Sequence, residues 1–177
     1  LDEADGNYVL DKVGGDFGSE LITNGTMEAD ANWGDATSNA PTSQGRSDEQ
    51  AKNGTYSWKF TTTTDPDTRT GGIRNTTGFT TVTGNTYRLN YWIYNVATNS
   101  HNLTIVEGDG SGAISGFNTK WVTGQSNGQW NEIIYYYTET SGGSSGYIEI
   151  MSPSTAATFY VDDVSIKLVN GNSGTLT

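Results

Sequence analysis

The chain has 177 residues with 20 acidic and 9 basic side chains, a net charge of −11 that argues against nucleic acid or anionic membranes as partners. Such a surface suits a neutral ligand, a cation, or an extracellular protein that must stay soluble. With no cysteine there is no disulfide or thiolate chemistry, and no run of 18 apolar residues offers a membrane-inserted helix. One domain fits this length, and it can bury roughly 70% of the unfolded surface. The 23 Gly and the 11% aromatic content suit many strands joined by turns, and no long apolar stripe of helical period is visible.

Residues 1–16 are acidic and glycine-punctuated, with Tyr8, Val9, Leu10 and Val13 as their apolar content. They read as an arm or linker, or as an extended segment that adds to a sheet edge and so supports self-association. The start at Leu1, without an initiator Met, reads as a processed terminus or the edge of a fragment. Residues 36–50 are polar and turn-rich, a long loop. Tyr56, Trp58 and Phe60 alternate with polar residues and predict a strand with an aromatic core face. One or two short strands are expected over 73–82. Tyr87, Leu89, Tyr91 and Ile93 alternate with Arg88, Asn90, Trp92 and Tyr94, the clearest strand in the chain. Leu103 and Ile105 mark another, ended by Gly108-Asp109-Gly110-Ser111-Gly112; no helix follows this run, so it is no phosphate loop. His101, the one histidine, falls in a predicted loop, so neither a His-based triad nor a His-rich metal site is expected. Residues 130–138 are nearly all large and predict a strand covered on both faces. Strands over 147–151 and 159–168 complete the set, and 170–177 read as a tail. The fold class is all-β, a two-sheet antiparallel sandwich over 17–169.

In the last strand, Val164, Ile166 and Leu168 alternate with Ser165 and Lys167. The same phase puts Asp162 on the apolar face, unless a bulge exchanges it with Asp163. A carboxylate turned inward needs a partner or a cation.

The ends and middle of the chain together resemble the jelly-roll carbohydrate-binding modules of the xylan- and glucan-binding type, galactose-binding-domain-like β-sandwiches. The resemblance rests on Glu20-Leu21-Ile22-Thr23-Asn24-Gly25-Thr26-Met27-Glu28 followed by Trp33-Gly34, and on Asn53-Gly54-Thr55-Tyr56-Ser57-Trp58. It continues in Thr83-Gly84-Asn85-Thr86-Tyr87-Arg88-Leu89 and Val161-Asp162-Asp163-Val164-Ser165-Ile166, covering residues 20–169. Met27 stands where that family has an aromatic, and Glu20 where it has an asparagine. The resemblance implies a structural Ca2+ held by Glu28 with the Thr26 carbonyl, Glu49 with the Lys52 carbonyl, and Asp162. Calcium takes six to eight oxygens of this mixed kind.

The residues also outline a sugar site. Sugar C–H faces stack on aromatic rings while the hydroxyls meet planar polar groups, and Arg88, Asn90, Trp92 and Tyr94 supply both. Tyr136 and Arg74 are expected to join them from neighbouring strands, as is Glu132 if it shares that face. Alternatively a loop or a neighbouring subunit covers Trp92 and Tyr94. Glu132 and Glu139 are the candidate pair for glycoside hydrolysis, but nothing in the sequence sets them across a cleft, so no enzyme is expected. Two readings follow. One is a non-catalytic, calcium-stabilised module, secreted or surface-exposed, that binds a neutral polysaccharide or glycan. The other is a structural or assembly protein, a virion fibre or decoration domain or a filament subunit, built on the same sandwich.

Overall fold

The computed structural model describes residues 17–36, 40–63, 71–97, 100–107, 112–113, 119–140, 143–152 and 156–170. The expected arm over 1–16 and the tail beyond residue 170 lie outside these. The strands in chain order are β1 (Phe17–Glu20), β2 (Trp33–Asp35), β3 (Ser43–Ser47), β4 (Ser57–Thr62), β5 (Gly72–Asn75), β6 (Phe79–Thr81) and β7 (Thr86–Asn95). They continue as β8 (Ser100–Glu107), β9 (Gly112–Ala113), β10 (Lys120–Thr123), β11 (Trp130–Thr138), β12 (Gly143–Met151) and β13 (Ala157–Val169). One sheet runs β11-β7-β13-β4-β3 with β1 against β13, and the other runs β10-β8-β12-β5-β2 with β6 and β9 alongside. Every pairing is antiparallel among the described residues. The two-sheet all-β sandwich expected from the alternation is the observed architecture.

The core follows the period-2 reading closely. On β7, Tyr87, Leu89, Tyr91 and Ile93 are buried, and from the facing sheet come Ile73, Leu103, Ile105, Ile148 and Ile150. Burying each such side chain contributes about 1.5–3 kcal/mol. Phe60 and Phe159 stack at 4.9 Å between ring centroids and fill one end.

Three expectations fail. Residues 36–50 are not one loop, because β3 forms an edge strand there; an edge with polar side chains leaves no apolar alternation to read. β11 is covered on one face only: it is the opposite edge of that sheet, and Ile134 and Tyr136 are exposed. His101 is no loop residue. It sits in β8 with Leu103 and Ile105, fully buried, opposite Val122 of β10. Its Nε2 bonds the Tyr91 hydroxyl, and its Nδ1 lies 3.2 Å from Gln125 Oε1. Gln125 donates its amide to the Thr123 carbonyl, so Oε1 is left to accept from Nδ1–H, and Nε2 accepts from Tyr91. That network requires a neutral imidazole, and burial holds its pKa down to about 4.

The last strand contains the bulge that the sequence left open. Its register with β7 shifts between Asp162 and Ser165, with Asp163 at φ 50°. Phe159 and Val161 therefore share the core with Val164 and Ile166. The bulge is packed on the turn after β1. The Val164 amide donates to the Gly25 carbonyl at 2.9 Å, and a Cβ on Gly25 would stand 1.9 Å from the Val164 carbonyl oxygen. Gly25→Ala should accordingly destabilise by about 3 kcal/mol or more, whereas Gly45→Ala on β3, where a Cβ meets nothing, should change little. Urea melts of the two variants decide it, and equal midpoints would contradict this packing.

Candidate functional site

The outer face of the six-stranded sheet collects the residues that the core rejects. Opposed residues of an antiparallel pair share a face. β11 sets Trp130, Glu132, Ile134 and Tyr136 opposite Tyr94, Trp92, Asn90 and Arg88 of β7. On the other side β13 sets Tyr160, Asp162, Ser165 and Lys167 opposite the same four. The structure thus brings Arg88, Asn90, Trp92, Tyr94 and Tyr136 together, with Glu132 among them.

Each has a defined setting. Tyr94 is packed edge-on between Trp130 and Tyr160, at 5.8 Å to each centroid. Asn90 donates to Glu132 Oε1 at 3.0 Å. The Lys52 ammonium lies 4.1 Å from the centroid of the Trp92 ring, and the Arg88 guanidinium 5.5 Å from that of Phe17. A groove of about 520 Å³ runs here, with Arg88, Asn90 and Trp92 on one side and Glu20, Thr26 and Asp163 on the other. Its wall is rigid because Glu20 Oε1 accepts the amides of Leu21, Ile22 and Ile166, and Oε2 accepts the Ser165 hydroxyl.

Arg74 is a correction. It belongs to β5 in the other sheet, paired with Glu149 and Gly34, and its guanidinium stacks 3.9 Å over the Tyr147 ring. β5 borders β12 and β2, so Arg74 cannot join Trp92. Trp130, Tyr160, Lys52, Lys167 and Glu20 belong to the face, though the sequence reading did not place them there. For Trp130 the signal was available: antiparallel pairing with β7 puts it opposite Tyr94.

The expected calcium set separates into two parts. Asp162 is fully buried, yet it lies on the outer face opposite Trp92, beneath the loop that carries Lys52 and Asn53. Its Oδ2 accepts the amides of Lys52 at 2.8 Å and Asn53 at 3.3 Å, and Oδ1 that of Asp163 at 2.7 Å. Burial raises its pKa to about 6 despite those three donors, so the negative charge is incompletely compensated. Glu28 reaches the same loop, its Oε1 accepting from Thr55 and Tyr56, and these amides lower its pKa. Glu28 and Asp162 thus reach the same loop. Glu49 is a correction. It turns to the Lys59 ammonium at 2.7 Å and the Tyr160 hydroxyl at 2.7 Å, which lower its pKa. The Lys52 backbone N–H donates to Asp162. Among the described residues no three His, Cys, Asp or Glu side chains gather as a metal cluster.

Glu132 and Glu139 do not share a cleft. Glu139 is buried at the far end of β11, bonded by Thr81 and the Thr140 amide. Seven residues at about 3.3 Å each separate the two by about 20 Å, well beyond the roughly 5–10 Å of glycosidase pairs.

No family model and no curated protein sequence matches the chain. Solved structures do. The CBM22-1 xylan-binding domain from Paenibacillus barcinonensis Xyn10C aligns with a TM-score of 0.58 at 17% identity, over 89% of this chain and 97% of that one. The arabinose-bound α-L-arabinofuranosidase MgGH51 aligns at a TM-score of 0.67 and 13% identity, over 88% of this chain but 27% of that one. The enzymatically active domain of bacteriophage CBA120 tailspike protein 4 aligns at 0.58 and 14%, over 85% of this chain and 21% of that one. The chain spans about a quarter of the length of those two larger proteins, and its fold is the jelly-roll β-sandwich seen in carbohydrate-binding modules.

Proposed function

We propose that this chain is a non-catalytic carbohydrate-binding module whose glycan lies along the outer face of the six-stranded sheet. The observation that carries this reading is the groove beside Trp92, where an aromatic ring, Asn90 and Arg88 stand together on a rigid strand. The ring offers a stacking surface, and the amide and guanidinium offer planar hydrogen bonding. Affinity electrophoresis through gels containing soluble xylan or β-glucan tests it: retarded migration is expected, and free migration in every polysaccharide overturns it. The separation of Glu132 from Glu139, which is buried past the end of β11, supports the non-catalytic part. Release of reducing ends that survives repurification and vanishes in Glu132→Gln would contradict it.

A structural calcium at Glu28 and Asp162 belongs to the same proposal, supported by the two carboxylates reaching one loop from opposite ends of the chain, one of them fully buried. The ion would neutralise their charge and tie β13 to the loop before β4. A ligand at a hundred times its dissociation constant stabilises by about 2.7 kcal/mol. Chelation should therefore lower the melting temperature by several degrees, and superimposable curves with and without chelator would remove calcium from the proposal.

The tailspike likeness favours a second reading, an assembly unit of a virion or filament, with Ile134 and Tyr136 exposed on the edge strand β11 as its contact. Particle size in solution separates them. A monomer supports the module, a concentration-dependent polymer the assembly unit.

A further inference from the structure

The net charge of the chain suggested a neutral ligand, but the charges on the sheet face are distributed differently. Of the nine Lys and Arg in the sequence, four stand around this face: Lys52 and Arg88 over its rings, Lys59 against Tyr160, and Lys167 opposite Arg88. The acids nearby are already engaged by the chain itself. Glu20 binds three amides and Ser165, Glu49 binds Lys59 and Tyr160, and Glu132 binds Asn90. Asp162 binds the loop amides, and Asp163 accepts from the Asn53 side chain.

Arg88 and Lys52 are different. Neither has a carboxylate within ion-pair distance among the described residues, and each rests on an aromatic ring. Resting on an exposed ring contributes little. A pyranose that stacks on the same face of Trp92 must displace Lys52, leaving its ammonium at the edge of the sugar. Arg88 lies four residues along the strand, about 13 Å away, so the two cations bracket more than one sugar ring. A guanidinium fork matches a carboxylate in two parallel hydrogen bonds.

We propose that the groove takes a carboxylate-bearing glycan, a polysaccharide containing uronic acid, with Lys52 and Arg88 contacting its carboxylates and Lys52 yielding Trp92 to the sugar. This rests on the glycan reading of the face and adds the charge of the ligand. The test is calorimetric titration with a glucuronic-acid-substituted xylan and with the same polysaccharide after its carboxyl groups are reduced to alcohols. The acidic form should bind about ten-fold more tightly. The advantage should shrink between about 50 and about 500 mM salt as charges are screened. In Lys52→Met and Arg88→Gln the affinity ratio of the two forms should fall toward one, whereas Lys120→Met in the other sheet should leave it unchanged. Equal binding of both forms at every salt concentration overturns this proposal and leaves the glycan reading standing. A preference that persists in both variants overturns the assignment of the two cations, and binding of neither polysaccharide removes the glycan reading as well.

Discussion

Tyr91→Ala should cost about 3–5 kcal/mol of stability, while Trp92→Ala, one residue on, should cost about 1 kcal/mol or less. Tyr91 is fully buried between the sheets, and its hydroxyl donates to His101 Nε2. Truncation leaves a ring-sized cavity and strands a buried imidazole. Trp92 points the other way, half-buried under Lys52, so its removal opens no core cavity. Its loss should appear in binding instead: Trp92→Ala should abolish retardation in xylan or glucan gels if the chain is a glycan module. If the chain is an assembly unit, it should weaken association, with no glycan binding in either form. Thermal melts of the two variants check the first half of this expectation. A Trp92→Ala protein that melts as low as Tyr91→Ala would mean that the two faces of β7 are energetically alike, which the burial does not allow.

Between pH 6.5 and 4 two buried groups should pull stability in opposite directions, each by about 3 kcal/mol. His101 is held neutral down to about pH 4 against an ordinary value of 6.5, because burial disfavours the imidazolium. The unfolded chain binds its proton first, so the stability tied to neutral His101 is full above pH 6.5 and drains away as pH falls toward 4. Asp162 has the reverse sign, since burial raises its carboxyl from 3.8 to about 6. The folded state binds that proton first, so the stability tied to protonated Asp162 is full below pH 3.8 and is lost as pH rises through 6. In chelator the two contributions offset, and the wild-type profile from these groups should be nearly flat from pH 4 to 6. His101→Gln should then gain stability on acidification, and Asp162→Asn should lose it, each by about 3 kcal/mol across the window. Added calcium should hold Asp162 ionised and expose the His101 loss in the wild type. Denaturant melts at stepped pH measure all three, and parallel profiles in wild type and both variants would refute the pairing.

The faces of β7 were legible in the sequence because alternation is local: each residue's side follows from its neighbours alone. The same holds for Trp58 and Phe60 of β4 and for Leu103 and Ile105 on β8, whereas Tyr56, expected with them, precedes β4 and is only half-buried beneath Arg46. β3 and the exposed face of β11 were not legible. Both are edges, where burial depends on whether another strand or layer arrives, and composition does not report that. His101 was misplaced because its polar neighbours Asn99, Ser100 and Asn102 mimic a turn. Asn102 belongs to the outer side of β8, while the imidazole is satisfied by Tyr91 and Gln125 across the core.

The calcium and sugar sets divide along the same line. The sharing of one face by Arg88, Asn90, Trp92 and Tyr94 was readable, but Asp162 was misplaced: it is buried on the outer face under the Lys52 and Asn53 amides, not on the apolar face that the alternation gave it. A one-residue bulge leaves both aspartates off the core face, and that bulge packs through Val164 on Gly25, 139 positions earlier in the chain. Arg74 lies in the other sheet, Glu49 is drawn to Lys59 and Tyr160, and Lys52 lies over Trp92. Each of those outcomes joins residues distant in sequence and turns on which strands pair and which loops fold over them. Side-chain periodicity follows from the geometry of a single strand. Strand partnership is chosen by the free energy of the whole sandwich, so only the assembled fold decides which charges meet.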